Sequence, residues 1–520
     1  MIRIDNLTVH FGQTEAVKNV NLTIEDGQIL GVVGESGSGK SVTALTLMGL
    51  VSKEADIVSG SITVDDVTLL EAGKPRDRAL LREYQGKAMS MIFQEPMTSL
   101  NPTKKVGKQV EEMLVLHTDM DANARKERVL ETMRSVGLKK AEKVYDSYPH
   151  QLSGGMRQRA MIAMAVILHP RLIVADEPTT ALDVTVQNQI IELLRQINSQ
   201  EKNAMLFITH DLNLARRLCT KIAVMKDGEV VEQGDTKEIF ENPREEYTKR
   251  LIQAVPSRVT RVTEHEEPET SQGNILEVKD LNVFYQEGSN SLFSRSKKVC
   301  VVKDANFAIR KGEVLGLVGE SGCGKTSLSK AILGLNKDIQ GSVINTTVRP
   351  QMIFQDPYSS LNPSKTVGWL LQEPLRAAGK LDKSLEMTPA DREAAAYDML
   401  HRIGMKDKYF HRKPSQLSGG QRQRISIGQA LITRPGLVIA DEPVSALDVT
   451  IQAQIMELML KLQDELGLSY LFISHDINVI YRMSDRIMVM KDGQIIEIGE
   501  KDELFNNPKQ EYTKLLLCES

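Results

Sequence analysis

Short, unbroken apolar runs recur along the chain, each stopping at glycine or at a residue that bears charge or a hydroxyl. Ile29 to Val33 runs into a glycine loop, and the loop opens into helical spacing from Ser41 to Leu50. Leu172 to Ala175 runs into Asp176, and Met205 to Ile208 runs toward His210. A strand with one wet face alternates apolar and polar residues, whereas a strand covered on both faces does not, so these runs predict buried parallel strands. Ile222 to Met225, Asp227-Gly228 and Glu229 to Val231 predict a hairpin, since Asp-Gly suits a tight two-residue turn. Ile487 to Ile496 repeats that pattern around Asp492-Gly493. Each half is therefore expected to be a mixed sheet flanked by helices.

The chain repeats itself. GESGSGKS at 34–41 returns as GESGCGKT at 319–326, an offset of 285. LSGG at 152–155 returns at 417–420, ADEP at 175–178 returns at 440–443, and THD at 209–211 returns as SHD at 474–476, all at an offset of 265. The back halves thus align without net gaps. Gly34 to Gln94 spans 60 positions and Gly319 to Gln355 only 36, so the second copy is expected to lack a hairpin or loop. It carries instead EGSNSLFSRSKK at 287–298, an expected exposed loop without an assigned role. Between the copies, 257–274 is acidic and rich in proline and threonine, the composition of a linker. As a flexible coil its 18 residues average roughly 25 Å end to end, with a ceiling of ~60 Å. The 520 residues, which length alone would divide into three or four domains, become a domain at 1–256, a linker at 257–274 and a domain at 275–520.

Composition narrows the class rather than the function. Apolar residues at 41% and charged residues at 26% fit a packed globular protein and exclude a disordered or fibrous chain. A net charge of −4 supplies no global field for nucleic acid, and no nucleic-acid partner is expected. The longest strongly apolar stretch, Ala160 to Leu168, is far short of the roughly 20 residues a membrane-spanning helix needs. The opening MIRIDNLTVHF lacks the marks of a secretory signal, which makes cytoplasmic residence the expectation. Cys219, Cys300, Cys323 and Cys518 are widely spaced without a CxxC pair, so they are expected to be reduced thiols, with no zinc site and no iron–sulfur cluster.

The repeated motifs carry the chemistry. In GxxxxGK[ST], backbone N–H groups turn inward around phosphate oxygens, and glycine permits that close approach. The first loop is Gly34, Glu35, Ser36, Gly37, Ser38, Gly39, Lys40 and Ser41; the second is Gly319, Glu320, Ser321, Gly322, Cys323, Gly324, Lys325 and Thr326. Lys40 and Lys325 are expected to reach the β- and γ-phosphates, and the hydroxyls of Ser41 and Thr326 to ligate Mg²⁺. Cys323 reads as a small residue that fits the loop, with a redox switch as the alternative. Asp176-Glu177 and Asp441-Glu442 end strand-like runs, where the aspartate can hold Mg²⁺ and the glutamate can polarise water; the alternative is a pair of helix-capping acids before proline. His210 and His475 are candidates to touch the γ-phosphate, the alternative being a structural histidine.

Two phosphate loops, each followed by FQ (Phe93-Gln94 and Phe354-Gln355), then LSGGM or LSGGQ, DEP, ALD (181–183 and 446–448) and the histidine, resemble ABC transporter ATPases over essentially the whole chain. The resemblance implies an α/β fold of two tandem P-loop NTPase domains, each a mixed-sheet core with an inserted helical subdomain. It implies ATP and Mg²⁺ as cofactors, Mg²⁺ being held by Ser41, Gln94 and Asp176 in one site and by Thr326, Gln355 and Asp441 in the other. Glu177 and His210, and Glu442 and His475, take the catalytic places. The signature serine of one domain completes the site of the other. Ser418, Gly419, Gly420 and Gln421 would therefore join the first loop, and Ser153, Gly154, Gly155 and Met156 the second, through pairing of the two halves. Such signatures suit anions, since serine and glycines at a helix start expose donors. Phe11 and Tyr285 stand where the family stacks an aromatic on adenine; an aromatic there can equally belong to the core.

Finer marks resemble the importer branch for dipeptides, oligopeptides and nickel. These are EPMTSLNP at 95–102, DPYSSLNP at 356–363, YPHQ at 148–151, and NPxxxYTKxL at 242–251 and 507–516; KPSQ at 413–416 departs from YPHQ. The resemblance implies ATP hydrolysis at both sites, energising import of di- or oligopeptides, with nickel or metal-chelate import as the alternative and a soluble non-transport ATPase as a remote one. It implies two integral-membrane permeases, an extracytoplasmic solute-binding protein and a place on the cytoplasmic face of the membrane. The segments 95–150 and 356–415 are where the family inserts helices that face the permeases. Trp369 falls there, expected in that segment's own core, with permease contact as the alternative.

Overall fold

The computed structural model describes residues 1–180, 182, 184–254, 273–287, 297–347, 350–356, 360–445 and 447–518. Most of the 257–274 linker, positions 288–296 of the 287–298 insertion, residues 181, 183 and 446 of the ALD segments and residues 357–359 of DPYSSLNP lie outside them. The chain forms two units, one built essentially on residues 1–255 and the other on 256–520.

In the first unit, β1 (Ile2–Phe11) pairs antiparallel with β2 (Thr14–Ile24) and with β4 (Ala55–Val64), and β4 pairs with β5 (Val67–Glu71). A second sheet contains β3 (Ile29–Val33), β6 (Met89–Ile92), β7 (Leu172–Asp176), β8 (Ala204–Thr209), β9 (Lys221–Lys226) and β10 (Glu229–Asp235). Its order is β10-β9-β3-β8-β7-β6, parallel except at β9–β10. Both faces are covered, which explains the unbroken apolar runs. Leu172 and Val174 enter one core with the β1–β2 hairpin, while Ile173 and Ala175 enter the other with the helical insertion. The predicted hairpin is present, and Asp227 at φ 49° and Gly228 at φ 89° give its turn the left-handed pair that favours Asp-Gly.

Among the described residues the second unit repeats this plan with one strand fewer. β11 (Asn274–Glu287) pairs with β12 (Lys297–Arg310) and with β14 (Ile339–Asn345). The larger sheet contains β13 (Val314–Val318), β15 (Gln351–Ile353), β16 (Leu437–Asp441), β17 (Ser469–Ser474), β18 (Arg486–Lys491) and β19 (Gln494–Glu500), in the order β15-β16-β17-β13-β18-β19. Among the described residues it lacks the counterpart of β5 and of the helix Arg78–Tyr84, so the missing segment corresponds to half a hairpin plus a helix.

The inserted helices, Val106–His117, Ala122–Ser135 and Ala141–Asp146 in the first unit and Val367–Leu381 and Pro389–Arg402 in the second, share a core with one face of the parallel sheet. Trp369 is half-buried against that core, with Lys365 and Arg376 over its ring at 4.9 and 5.2 Å. Among the described residues no helix is long and apolar enough to cross a membrane.

The two insertions solve one packing problem differently. A Cβ at Gly107 would lie 2.1 Å from the Tyr145 ring, and one at Gly368 would lie 2.3 Å from Phe410, so both helices keep glycine for the aromatic. Tyr145 brings a hydroxyl, which donates to the buried Glu111 carboxylate at 2.6 Å, and Lys108 and Arg125 donate to the same group at 2.7 and 3.4 Å. Phe410 brings none and stacks on Tyr397 with centroids 3.9 Å apart. Burial raises the Glu111 pKa, but the bonds from Lys108 and Tyr145 outweigh it and hold the carboxyl below its ordinary 4.5. Its contribution is full above that value and fades as pH falls. Changing Glu111→Leu is expected to cost about 2–3 kcal/mol of stability, and adding Tyr145→Phe to recover most of it, measured as denaturant midpoints at neutral pH.

Candidate functional site

Each unit brings its phosphate loop, its Asp-Glu pair, its glutamine and its histidine together where the parallel strands end. In the first, β3 delivers the chain to Gly34, and the helix Lys40–Leu47 begins where the loop closes. A Cβ on Gly34, at φ 155°, would lie 2.2 Å from the Met225 carbonyl oxygen, and one on Gly39, at φ 97°, would lie 2.6 Å from that of Ala16. Only glycine fits either place. The Lys40 ammonium is buried and donates to the carbonyl oxygens of Gly34 and Glu35 at 2.8 and 2.6 Å, and to Ser38 Oγ at 3.4 Å. Burial lowers its pKa, and the Glu177 charge opposes that shift. Lys325 makes the same pair of bonds, to Gly319 at 2.7 Å and Glu320 at 2.9 Å. Cys323 stands in the place of Ser38, buried, its thiol pushed up chiefly by burial, which disfavours the reactive thiolate.

The carboxylates follow as the strand endings require. Ser41 Oγ donates to Asp176 at 3.1 Å and Thr326 Oγ1 to Asp441 at 2.9 Å. Burial pushes Asp176 up to about 6 against the pull of Ser41, and raises Asp441 likewise. A hydroxyl paired with a carboxylate is a set of hard oxygen donors, which suits Mg²⁺.

Glu177 and Glu442 sit one residue past the strands at φ 45° and 48°, left-handed backbone that ordinary side chains avoid. The surroundings over-determine that bend. The Glu177 N–H donates to the Ile208 carbonyl at 2.9 Å, and the carboxylate accepts from Gln94 Nε2 and Thr180 Oγ1, both at 2.9 Å, with His210 Nδ1 at 3.1 Å. In the second unit the Glu442 N–H reaches Ile473 at 2.9 Å, Gln355 donates at 2.8 Å and His475 stands at 3.2 Å. Ser445, in the place of Thr180, donates to the Glu442 backbone carbonyl instead, so the second carboxylate has one donor fewer among these partners. Burial raises both carboxyl pKa values, but the histidine bond and charge prevail, taking Glu177 down to about 2 and Glu442 below its ordinary value; His210 and His475 rise in turn. In each pair the histidine stands within hydrogen-bond reach of an oriented carboxylate.

The signature segments start helices of 13 residues, Gly154–Val166 and Gly419–Leu431. Ser153 caps the Met156 N–H at 3.3 Å and Ser418 caps the Gln421 N–H at 3.4 Å, while Gln421 Oε1 accepts from the Ser418 N–H at 3.1 Å. Both serines are exposed, and a Cβ on Gly155 or Gly420 would lie 2.7 or 2.6 Å from Val186 or Ile451 of its own unit. An open helix start with such donors can take an anion. Phe11, half-buried, ends β1 five residues before Ala16, whose carbonyl approaches Gly39; Tyr285 is exposed on β11.

Two sets of residues escape the sequence reading. Thr180 follows DEP, and nothing local in the sequence marks its bond to Glu177. Tyr247 and Tyr512 belong to the repeated NPxxxYTKxL, a signal that was visible without a role; their hydroxyls accept from the Glu35 and Glu320 N–H at 3.3 and 3.2 Å.

Known proteins place this geometry. A family model described as ABC transporter matches residues 17–180 and 302–445, and one described as oligopeptide/dipeptide transporter, C-terminal region, matches 231–285 and 496–518. The chain is 40% identical to the glutathione import ATP-binding protein GsiA of Pectobacterium atrosepticum, over 99% of this chain and 89% of that protein. It is 41% identical to the uncharacterized ABC transporter ATP-binding protein YejF of Escherichia coli, over 100% of this chain and 99% of that one. A solved archaeal ribosome recycling factor, aABCE1 in complex with stalk protein aP1, has a TM-score of 0.63 at 20% identity, covering 96% of this chain and 90% of that chain, a likeness of fold alone. The chain therefore belongs to the ABC transporter ATP-binding proteins, with two ATPase domains in tandem, and is the ATP-hydrolysing subunit of an importer.

Proposed function

We propose that the imported solute is a di- or oligopeptide. The observation that carries this reading is the oligopeptide/dipeptide C-terminal match in both halves, joined to a relative named for import of glutathione, itself a tripeptide. The partners are two integral-membrane permeases and an extracytoplasmic solute-binding protein, and the chain works on the cytoplasmic face of the membrane. The domains are 1–256 and 275–520, joined by 257–274.

The chemistry assigned to each unit rests on what its residues can do. The loop amides and Lys40 or Lys325 bind the phosphates. Ser41, Gln94 and Asp176, or Thr326, Gln355 and Asp441, would hold Mg²⁺, which when bound neutralises charge developing on the phosphates. Glu177 and Glu442 accept a hydrogen bond from the attacking water and orient it. Each carboxylate is held in place by its glutamine and histidine, so it offers the water an oriented acceptor and a negative charge. His210 and His475 hold that carboxylate and face the γ-phosphate, and Phe11 and Tyr285 stack on adenine. The first loop is completed by Ser418 to Gln421 and the second by Ser153 to Met156. Nucleotide binding favours the closed pairing of halves, and hydrolysis restores the open one. The linker keeps each half at about mM effective concentration near the other.

Uptake by cells lacking this gene tests the substrate. Labelled di- and oligopeptides are expected to enter only on complementation, and nickel and metal chelates to enter equally with and without it. Restored nickel uptake with no effect on peptides would replace this reading.

A further inference from the structure

The C-terminal segment of each unit is built onto its phosphate loop. In the first, Glu232 on β10 accepts from the N–H groups of Arg244 and Glu245 at 2.8 and 3.1 Å, capping the helix Glu246–Ala254. That helix carries Tyr247, whose ring lies under Lys226 at 5.1 Å and whose hydroxyl accepts from the Glu35 N–H. From the other side the hairpin turn closes on the same loop, the Gly228 N–H donating to the Ser38 carbonyl at 3.1 Å. The Ser38 N–H donates to the Glu35 carbonyl at 3.2 Å, so the tyrosine and the turn hold opposite ends of one loop bend.

The second unit builds the same clamp with different loop residues. Glu497 accepts from the Lys509 and Gln510 N–H groups at 2.7 and 3.1 Å, Lys491 lies over the Tyr512 ring at 4.6 Å, and the Tyr512 hydroxyl accepts from Glu320. The Gly493 N–H reaches the Cys323 carbonyl at 3.0 Å, and the Cys323 N–H reaches Glu320 at 3.3 Å. Burial raises both phenol pKa values, Tyr247 to about 12, so each hydroxyl keeps its proton.

We propose that Tyr247 and Tyr512 are positioning residues for nucleotide binding, each turning the second N–H of its phosphate loop outward so that the amides after it converge on the phosphates. The C-terminal region thereby acquires a role at the nucleotide. The hydroxyl touches neither phosphate nor water in this scheme; it acts through the loop. Without it, the Glu35 or Glu320 N–H loses its partner and the loop samples other bends, at the scale of one hydrogen bond.

This rests on the reading that the loops hold phosphates, and the test separates the two. The full-length chain carrying Tyr247→Phe and Tyr512→Phe keeps both rings and both lysine contacts. The dissociation constant for MgADP and the KM for MgATP are expected to rise about five- to tenfold, with kcat within about twofold of wild type. Hydrogen exchange at the peptides 34–41 and 319–326 is expected to quicken. An unchanged MgADP constant, KM and exchange rate would overturn the proposal, whatever the melting temperature does. If Lys40→Ala with Lys325→Ala also leaves MgADP binding intact, the reading of the loops fails instead.

Discussion

The chain carrying Glu177→Gln and Glu442→Gln is expected to bind MgATP as the wild type does and to turn it over at least about 10²-fold more slowly. Glutamine keeps the size of the side chain and one acceptor oxygen, so the left-handed bend at φ 45° and 48° and the N–H bonds to Ile208 and Ile473 persist. What goes is the negative charge proposed to face the attacking water, which also faces His210 or His475. An orientation-only role for the carbonyl oxygen would leave turnover near wild type, so the size of the fall measures how much the charge matters. The two single variants add information about asymmetry. Glu177 accepts from Thr180 and Glu442 does not take the corresponding bond from Ser445, so the two sites differ in how tightly the carboxylate is held. Steady-state phosphate release and equilibrium binding of nucleotide check the prediction.

Lys40→Ala with Lys325→Ala is expected to act on the earlier step. Each ammonium bridges two loop carbonyls, so its loss removes both the charge proposed to meet the phosphates and the brace that closes the loop. Charge-assisted bonds contribute roughly 1.5–3 kcal/mol each, and losing even one or two lowers nucleotide affinity on the order of 10²-fold. The folded units are expected to survive, because each core is formed by the sheet faces and the helices packed on them, and neither lysine belongs to it. Titration of MgADP binding, with a melt of the nucleotide-free chain beside it, distinguishes lost binding from lost folding.

The shape of the loops is legible in the sequence because it imposes narrow local demands. Gly34 and Gly39 admit no side chain, and the lysine and hydroxyl must follow at fixed spacing, so a short motif suffices. The strands were readable for a different reason. β7 presents Leu172 and Val174 to one core and Ile173 and Ala175 to another, which erases alternation and leaves an apolar run. What stayed hidden depends on residues far apart in the chain. The bend at Glu177 is fixed by a bond to Ile208 and by side chains from Gln94 and His210, and none of that is local. Tyr247 meets Glu35 across 212 positions, so its repeat could be seen without its partner. Likewise the gap before Gln355 revealed how many residues were missing but not that β5 and a helix had gone, because β14 keeps the pairing that β4 makes with β1.

Hydrolysis at these two glutamates is proposed to power import. Cells lacking the gene, given back either the wild-type chain or the Glu177→Gln, Glu442→Gln chain at equal abundance, and supplied with a labelled oligopeptide, test it in one assay. Uptake is expected with the wild type and only background uptake with the variant; peptide uptake at the wild-type rate through the variant would show that import does not depend on these glutamates.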